Sequence, residues 1–248
     1  MKLQTFKIVL LGLLHIGLQA CNAQTTNESP SFKDSDDLKI SKAEVTLNKD
    51  LQQLVFTINV KGEAGASVPE KHGNMDGAPV LGYVFPTNLA SEDVGFSKTQ
   101  GIVALALTSH PDFDDTPLWD ENSNSNYADD GVVWHPHWVI LTEDKRVPGG
   151  LSVKQFDTED SSITLPPTNP GMPMFMDSPG FPVITNGNGI KVVVPLYRMN
   201  NRTDFKFDGV AAYMQVNTSN PELPMLGVYS VYSIASGDLS LPYSISND

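Results

Sequence analysis

Five residues in the middle of the chain, Trp134-His135-Pro136-His137-Trp138, carry the clearest chemical potential. In an extended strand, side chains two apart share a face, so His135 and His137 project together and Trp134 and Trp138 point the other way. Two imidazoles on one face form the start of a transition-metal site, because neutral imidazole suits copper, zinc, iron and nickel. Proline fixes its own φ, removes a donor and holds His135 extended, which places the segment at a sheet edge or bulge. His110 closes an apolar run and opens His110-Pro111-Asp112-Phe113-Asp114-Asp115. It is the candidate third ligand, with the 112–115 carboxylates behind the imidazoles to hold their tautomers. His72, in a Gly-rich loop, is the weaker candidate.

A second constellation is acidic. Asp112, Asp114, Asp115, Asp120, Glu121, Asp129 and Asp130 crowd into 19 positions, with no Lys or Arg between Lys98 and Lys145. Charges this dense repel one another, and a bound cation would relieve them. Asp120, Asn122 and Asn124 place oxygen donors at alternate positions, as D-x-[DN]-x-[DN] calcium loops do. The pattern departs from those loops where Ser125 replaces glycine and Gly131 replaces the closing glutamate, so Asp129 or Asp130 would have to substitute. A solvated loop making its own Asx turns is the competing reading. A third cluster, Met172, Met174 and Met176, alternates along an extended segment. Thioethers favour copper(I), but methionine at period two is more commonly core.

These residues need a scaffold, and the sequence gives one of strands. Period-two apolar patterning appears at Val45 and Leu47 and again at Leu54, Phe56, Ile58 and Val60, which reads as a hairpin. Further strands are expected at 79–85, 101–108, 132–141, 190–197, 205–216 and 225–235, most of them separated by turn residues. No stretch has a helical period. The expected fold is all-β, an antiparallel β-sandwich-like or barrel single domain with long functional loops at 110–131 and 157–189.

The chain begins with the order of a secretory signal: Lys2 and Lys7, an apolar run of 11 residues from Ile8 to Leu18, then Leu18-Gln19-Ala20-Cys21. That run is shorter than the roughly 20 residues needed to span a bilayer. The expected organisation is a signal peptide over 1–20, a lipidated N-terminus and polar tether over 21–37, and one β domain over 38–248. The formal net charge of −13 becomes −15 without residues 1–20, which hold two lysines and no acid, so nucleic acid is an unsuitable partner. Cys21 is the single cysteine, which excludes a disulfide framework and a multi-thiolate metal site.

Leu18-Gln19-Ala20-Cys21 resembles the bacterial lipobox, with Gln19 a departure from the commoner small or β-branched residue. The resemblance implies a lipid on Cys21 and membrane attachment at the bacterial cell envelope. Asn22 is not the aspartate of inner-membrane retention, which implies the outer membrane in a Gram-negative host. A tryptophan beside histidines is also similar to methanotroph surface copper-binding proteins, where an oxidised tryptophan joins two histidines at copper; the likeness covers Trp134 to Trp138. An H-x-H pair occurs in cupins too, but Glu143 stands six positions after His137 instead of four or five.

The G-x-S-x-G elbow, the P-loop, H-E-x-x-H and G-x-G-x-x-G are missing from the sequence. Three readings therefore stand. The first is an envelope lipoprotein holding a transition metal, copper before zinc, at His135 and His137 with His110 nearby. The second is a metal-dependent enzyme using the same histidines. The third is a calcium-stabilised adhesion module in which an exposed Trp134 or Trp138 contacts glycan or protein.

Overall fold

In the computed structural model, residues 32–115, 124–125 and 132–247 are described. They form a single, almost entirely β domain. The expected hairpin is β1 (Ile40–Asn48) and β2 (Gln53–Val60), antiparallel with Leu47 opposite Leu54. Gln52 takes a positive φ at the turn. The hairpin belongs to a five-stranded sheet completed by β8 (Val183–Asn186), β9 (Gly189–Pro195) and β14 (Ser246–Asn247). Gly187-Asn188 turns β8 into β9, with Asn186 opposite Gly189. A small pair joins β10 (Lys206–Phe207) to β13 (Tyr243–Ser244).

The larger sheet closes on itself. Its strands are β3 (Pro79–Pro86), β4 (Ile102–Ser109), β5 (His135–Glu143), β6 (Leu151–Val153), β11 (Val210–Val216) and β12 (Leu226–Ile234). They pair in the circular order β5, β4, β3, β11, β12, β6 and back to β5, a six-stranded antiparallel barrel. The short β7 (Met176–Asp177) adds to β5 beside the closure. The barrel, the second of the two architectures the patterning allows, is therefore the one adopted, with the five-stranded sheet packed on its wall.

Closure explains why β3, β4 and β5 read as near-continuous apolar runs: both faces are buried. Outward, Leu81, Tyr83, Phe85, Leu105, Leu107, Trp138 and Ile140 meet Val45, Leu54, Phe56 and Ile58 of the facing sheet in one core. Inward, Val80, Val84, Ala104, Ala106, Val139 and Leu141 form a second cluster inside the barrel. The split along β5 places Trp138 on the outer side and His137 with the barrel interior.

Pro136 sits opposite Leu107 of β4, so β5 is not an outer edge strand. Its other side is paired only from Trp138 onward among the described residues, which removes the ladder position where the missing proline donor would count. Residues 32–37, the last of the segment read as a tether, contact the domain. Phe32 packs edge-on against Tyr232, and Asp37 accepts a hydrogen bond from Ser67 Oγ at 2.9 Å.

Candidate metal centre

His110, Asp115, His135 and His137 converge at one end of the barrel, with one ligand atom from each within 4.8 Å of all the others. His135 and His137 share the interior side of β5, as their spacing requires. Opposite, Trp134 packs against Tyr83 at 4.8 Å with the rings tilted by 40°, and donates its indole hydrogen to the Gly65 carbonyl at 3.0 Å. That anchor fixes which way the strand presents its histidines. His110 follows β4 directly, and pairing of Thr108 with His135 brings the two histidine segments level.

The loop after His110 curls back upon it. Phe113 stacks flat on the His110 ring, 4.1 Å between centroids and 8° between planes. Asp112 accepts hydrogen bonds from the backbone of His72 and Gly73, which pins the loop from its other side. Asp115 then reaches the imidazoles. Its Oδ1 lies 3.2 Å from His110 Nε2, 3.4 Å from His135 Nε2 and 3.6 Å from His137 Nε2.

The other ring nitrogens settle the tautomers. His110 Nδ1 donates to the Phe113 carbonyl at 3.0 Å and His135 Nδ1 donates to the Val133 carbonyl. A carbonyl only accepts, so each Nδ1 carries a proton and each Nε2 is turned toward the other ligands. His137 Nδ1 lies 3.0 Å from Ser178 Oγ, which likewise leaves its Nε2 facing Asp115. Backbone carbonyls and a serine thus do the orienting that the sequence assigned to the 112–115 carboxylates. Asp115 does not stand behind the rings; it is part of the donor set.

The result is an electron-rich, buried pocket. Asp115 Oδ1 has no hydrogen bond of good geometry despite its three close imidazoles, and an unsatisfied buried oxygen is costly. Burial opposes the charge of Asp115, but the imidazoles of His137 and His110 outweigh it and hold the carboxyl well below its usual range. Burial pushes His137 down to about 3; Asp115 opposes that shift, and His135 and His110 reinforce it. At neutral pH the set is an anionic oxygen and a neutral His137 imidazole beside His110 and His135. Thr108 Oγ1 lies 3.3 Å from His135 Nε2.

This donor set could hold a metal ion. With metal–nitrogen distances of about 2.0–2.1 Å, a tetrahedral site has donors about 3.3–3.4 Å apart. Four of the six donor separations run from 2.9 to 3.6 Å, and the other two lie within 4.8 Å. Three imidazoles and a carboxylate suit a borderline divalent ion, and they neutralise half of its charge.

Other sequence expectations fare differently. Met174 and Met176 are buried in the barrel-side cluster and Met172 packs against it, so the core reading of the methionines holds. The three also line a small cavity with His110, Asp115 and His137. Trp134 and Trp138 are 7% and 1% exposed, which removes the surface aromatic on which the adhesion reading depended. Both indoles belong to the core between the barrel wall and the facing sheet. Asn124 is exposed, and Asp120, Asn122, Asp129, Asp130 and Cys21 lie outside the described residues. Ser178 was missed by sequence reasoning, since nothing local marks a serine 41 positions away as the partner of His137.

The chain matches no protein-family model, no curated protein and no solved structure with which it was compared.

Proposed function

We propose that this protein binds a transition metal at His110, Asp115, His135 and His137, and that Cys21 anchors it by a lipid to the bacterial cell envelope, at the outer membrane in a Gram-negative host. The observation that carries the metal reading is the convergence of three Nε2 atoms on a buried, unsatisfied Asp115 Oδ1, with two of the three rings tautomerically locked by carbonyls. Copper is the ion to test first and zinc the alternative. The thioethers of Met172, Met174 and Met176 beside the site supply a soft surface that favours copper, whereas the carboxylate and imidazoles accept either ion.

The role that follows is metal binding or sequestration at the envelope. A catalytic role has one supporting observation, the cavity against His110, Asp115 and His137, through which a small ligand would reach the ion. A calcium role for the loop bearing Asp120, Asn122, Asn124, Asp129 and Asp130 is a separate proposal that rests on donor spacing in the sequence.

The test is elemental analysis of untagged protein from its native envelope, repeated on His135→Ala. One copper or zinc per chain in the native protein and a metal-free, folded variant is the expected pair of results. Native protein without a transition metal, or full occupancy in the variant, overturns the reading.

A further inference from the structure

The barrel that carries the imidazole cluster is hollow. Its lumen has a volume of about 300 Å³. Barrels of eight strands are just wide enough for their own side chains to fill them, and six strands enclose less. The void therefore arises from residue choice. Ala106, Ala212, Val84, Val139, Val153 and Val210 line it, while the outward positions of the same wall carry Leu, Phe, Tyr and Trp. Along β4 the alternation is explicit, with Ala104 and Ala106 inward and Leu105 and Leu107 outward.

The two ends of the lumen differ. At one end stand Thr108 and His137, the latter forming part of the wall between the lumen and the metal cluster. At the other, Ile102, Val231 and Leu239 are 36%, 42% and 36% exposed, an apolar rim open to solvent. Leu239 and Leu241 line this rim with φ of +60° and +53°, a left-handed conformation that leucine seldom adopts. Hydrogen bonds from the Leu239 N–H to Ser236 Oγ and from the Ser240 N–H to Asp238 hold that segment in place. Strained backbone that delivers two leucines to a cavity mouth is the kind of feature that persists at ligand sites.

We propose that the lumen is a binding site for a neutral, hydrocarbon-rich small molecule, whose one polar group lies toward Thr108 and His137. Among the described residues the lining holds no lysine, arginine or carboxylate, so a charged ligand would lose its hydration without a counter-charge. An apolar cavity of about 150 Å³ takes benzene, which sets the occupant of this one at about ten to twelve non-hydrogen atoms, the size of a fused two-ring aromatic. The lumen site needs no metal, and its test is made on chelator-treated protein so that it stands or falls apart from the metal reading.

The experiment is a fluorescence titration of the full chain with 1-aminonaphthalene at neutral pH, alongside methyl NMR of Met176 and Met214, both of which line the lumen. Saturable binding of one probe per chain, with shifts of those two methyl signals, is the expected result. Ala106→Leu and Ala212→Leu place methylenes into the void and should weaken binding at least tenfold without lowering the unfolding temperature. The anionic 1-naphthalenesulfonate should bind at least tenfold more weakly than the amine. Absence of saturable binding, unmoved Met176 and Met214 signals at saturation, unchanged affinity in a folded filled variant, or equal affinity for the anion each overturns the proposal. The methyl signals decide the location in the wild type even where a filled variant fails to fold.

Discussion

His110 Nε2 and His135 Nε2 face each other at 2.9 Å, although the Nδ1 proton of each ring is committed to a backbone carbonyl. When both rings are neutral, this arrangement opposes lone pair to lone pair, with a carboxylate oxygen within 3.4 Å of both. Such a contact is repulsive unless a positive charge sits among the three atoms. A proton would serve one pair; a metal ion serves all four donors at once.

Replacement of any one donor should show this. His110→Ala, His137→Ala and Asp115→Asn should each lose most of the bound metal, and the His135→Ala/His137→Ala double change should add little, because ligands of one site are not independent. Metal stoichiometry together with circular dichroism checks it. Full occupancy in the double variant, or metal loss seen only alongside unfolding, would falsify the shared site.

Ser178 is expected to act through His137 by holding its Nδ1. Ser178→Ala should leave one metal per chain at saturation but weaken affinity about 10–100-fold, the usual cost of losing a group that orients a ligand. A competition titration against a chelator of known affinity measures this. Unchanged affinity would mean that Ser178 contributes nothing to ring orientation.

Acid should destabilise the metal-free protein through His137 between pH 6.5 and 4.5. Its folded value is about 3 against the ordinary 6.5, so the unfolded chain takes up a proton that the folded ring refuses. Stability contributed by neutral His137 is therefore complete above pH 6.5 and declines as pH falls, by up to about 1.4 kcal/mol per unit. Asp115, held below its usual value, adds a loss in the same direction at lower pH. Urea unfolding at pH 7.5 and 4.5 should show a loss about 2–3 kcal/mol smaller in His137→Gln than in the wild type. Equal losses would show that the ring does not stay neutral in the folded state.

For the envelope anchor, Cys21→Ser should release a folded, exported, soluble protein. Among the described residues no helix is long and apolar enough to cross a membrane. Fractionation under high salt provides the measurement, and a variant that remains in the membrane fraction would refute the lipid anchor.

The strands were legible because their apolar patterning is local. So was the division of β5, where His135 and His137 share one side and Trp134 and Trp138 the other, since alternation follows from backbone geometry alone. Closure into a barrel was only one of two options in the sequence, because it depends on β6 bridging β12 and β5, and three residues leave too weak a pattern to detect. Asp115 was visible as a charge but not as a ligand, because its place depends on Phe113 stacking back onto His110. The lumen was illegible for a different reason. Hydropathy treats Ala106 and Leu107 alike, and the void is written in their difference of size.

The positions of Asp115 and His135 have a topological consequence. They stand 20 positions apart along the chain, yet both contribute to the same donor set. An ion held by both would tie off that excursion at its base, as a disulfide does in proteins with cysteines to spare. The 248 residues contain one cysteine, at position 21, so no internal disulfide is open to them. A covalent link closing a loop of similar length restricts the unfolded chain by about 3 kcal/mol. Loading the metal would thus be a cross-linking event between Asp115 and His135, made without a covalent bond.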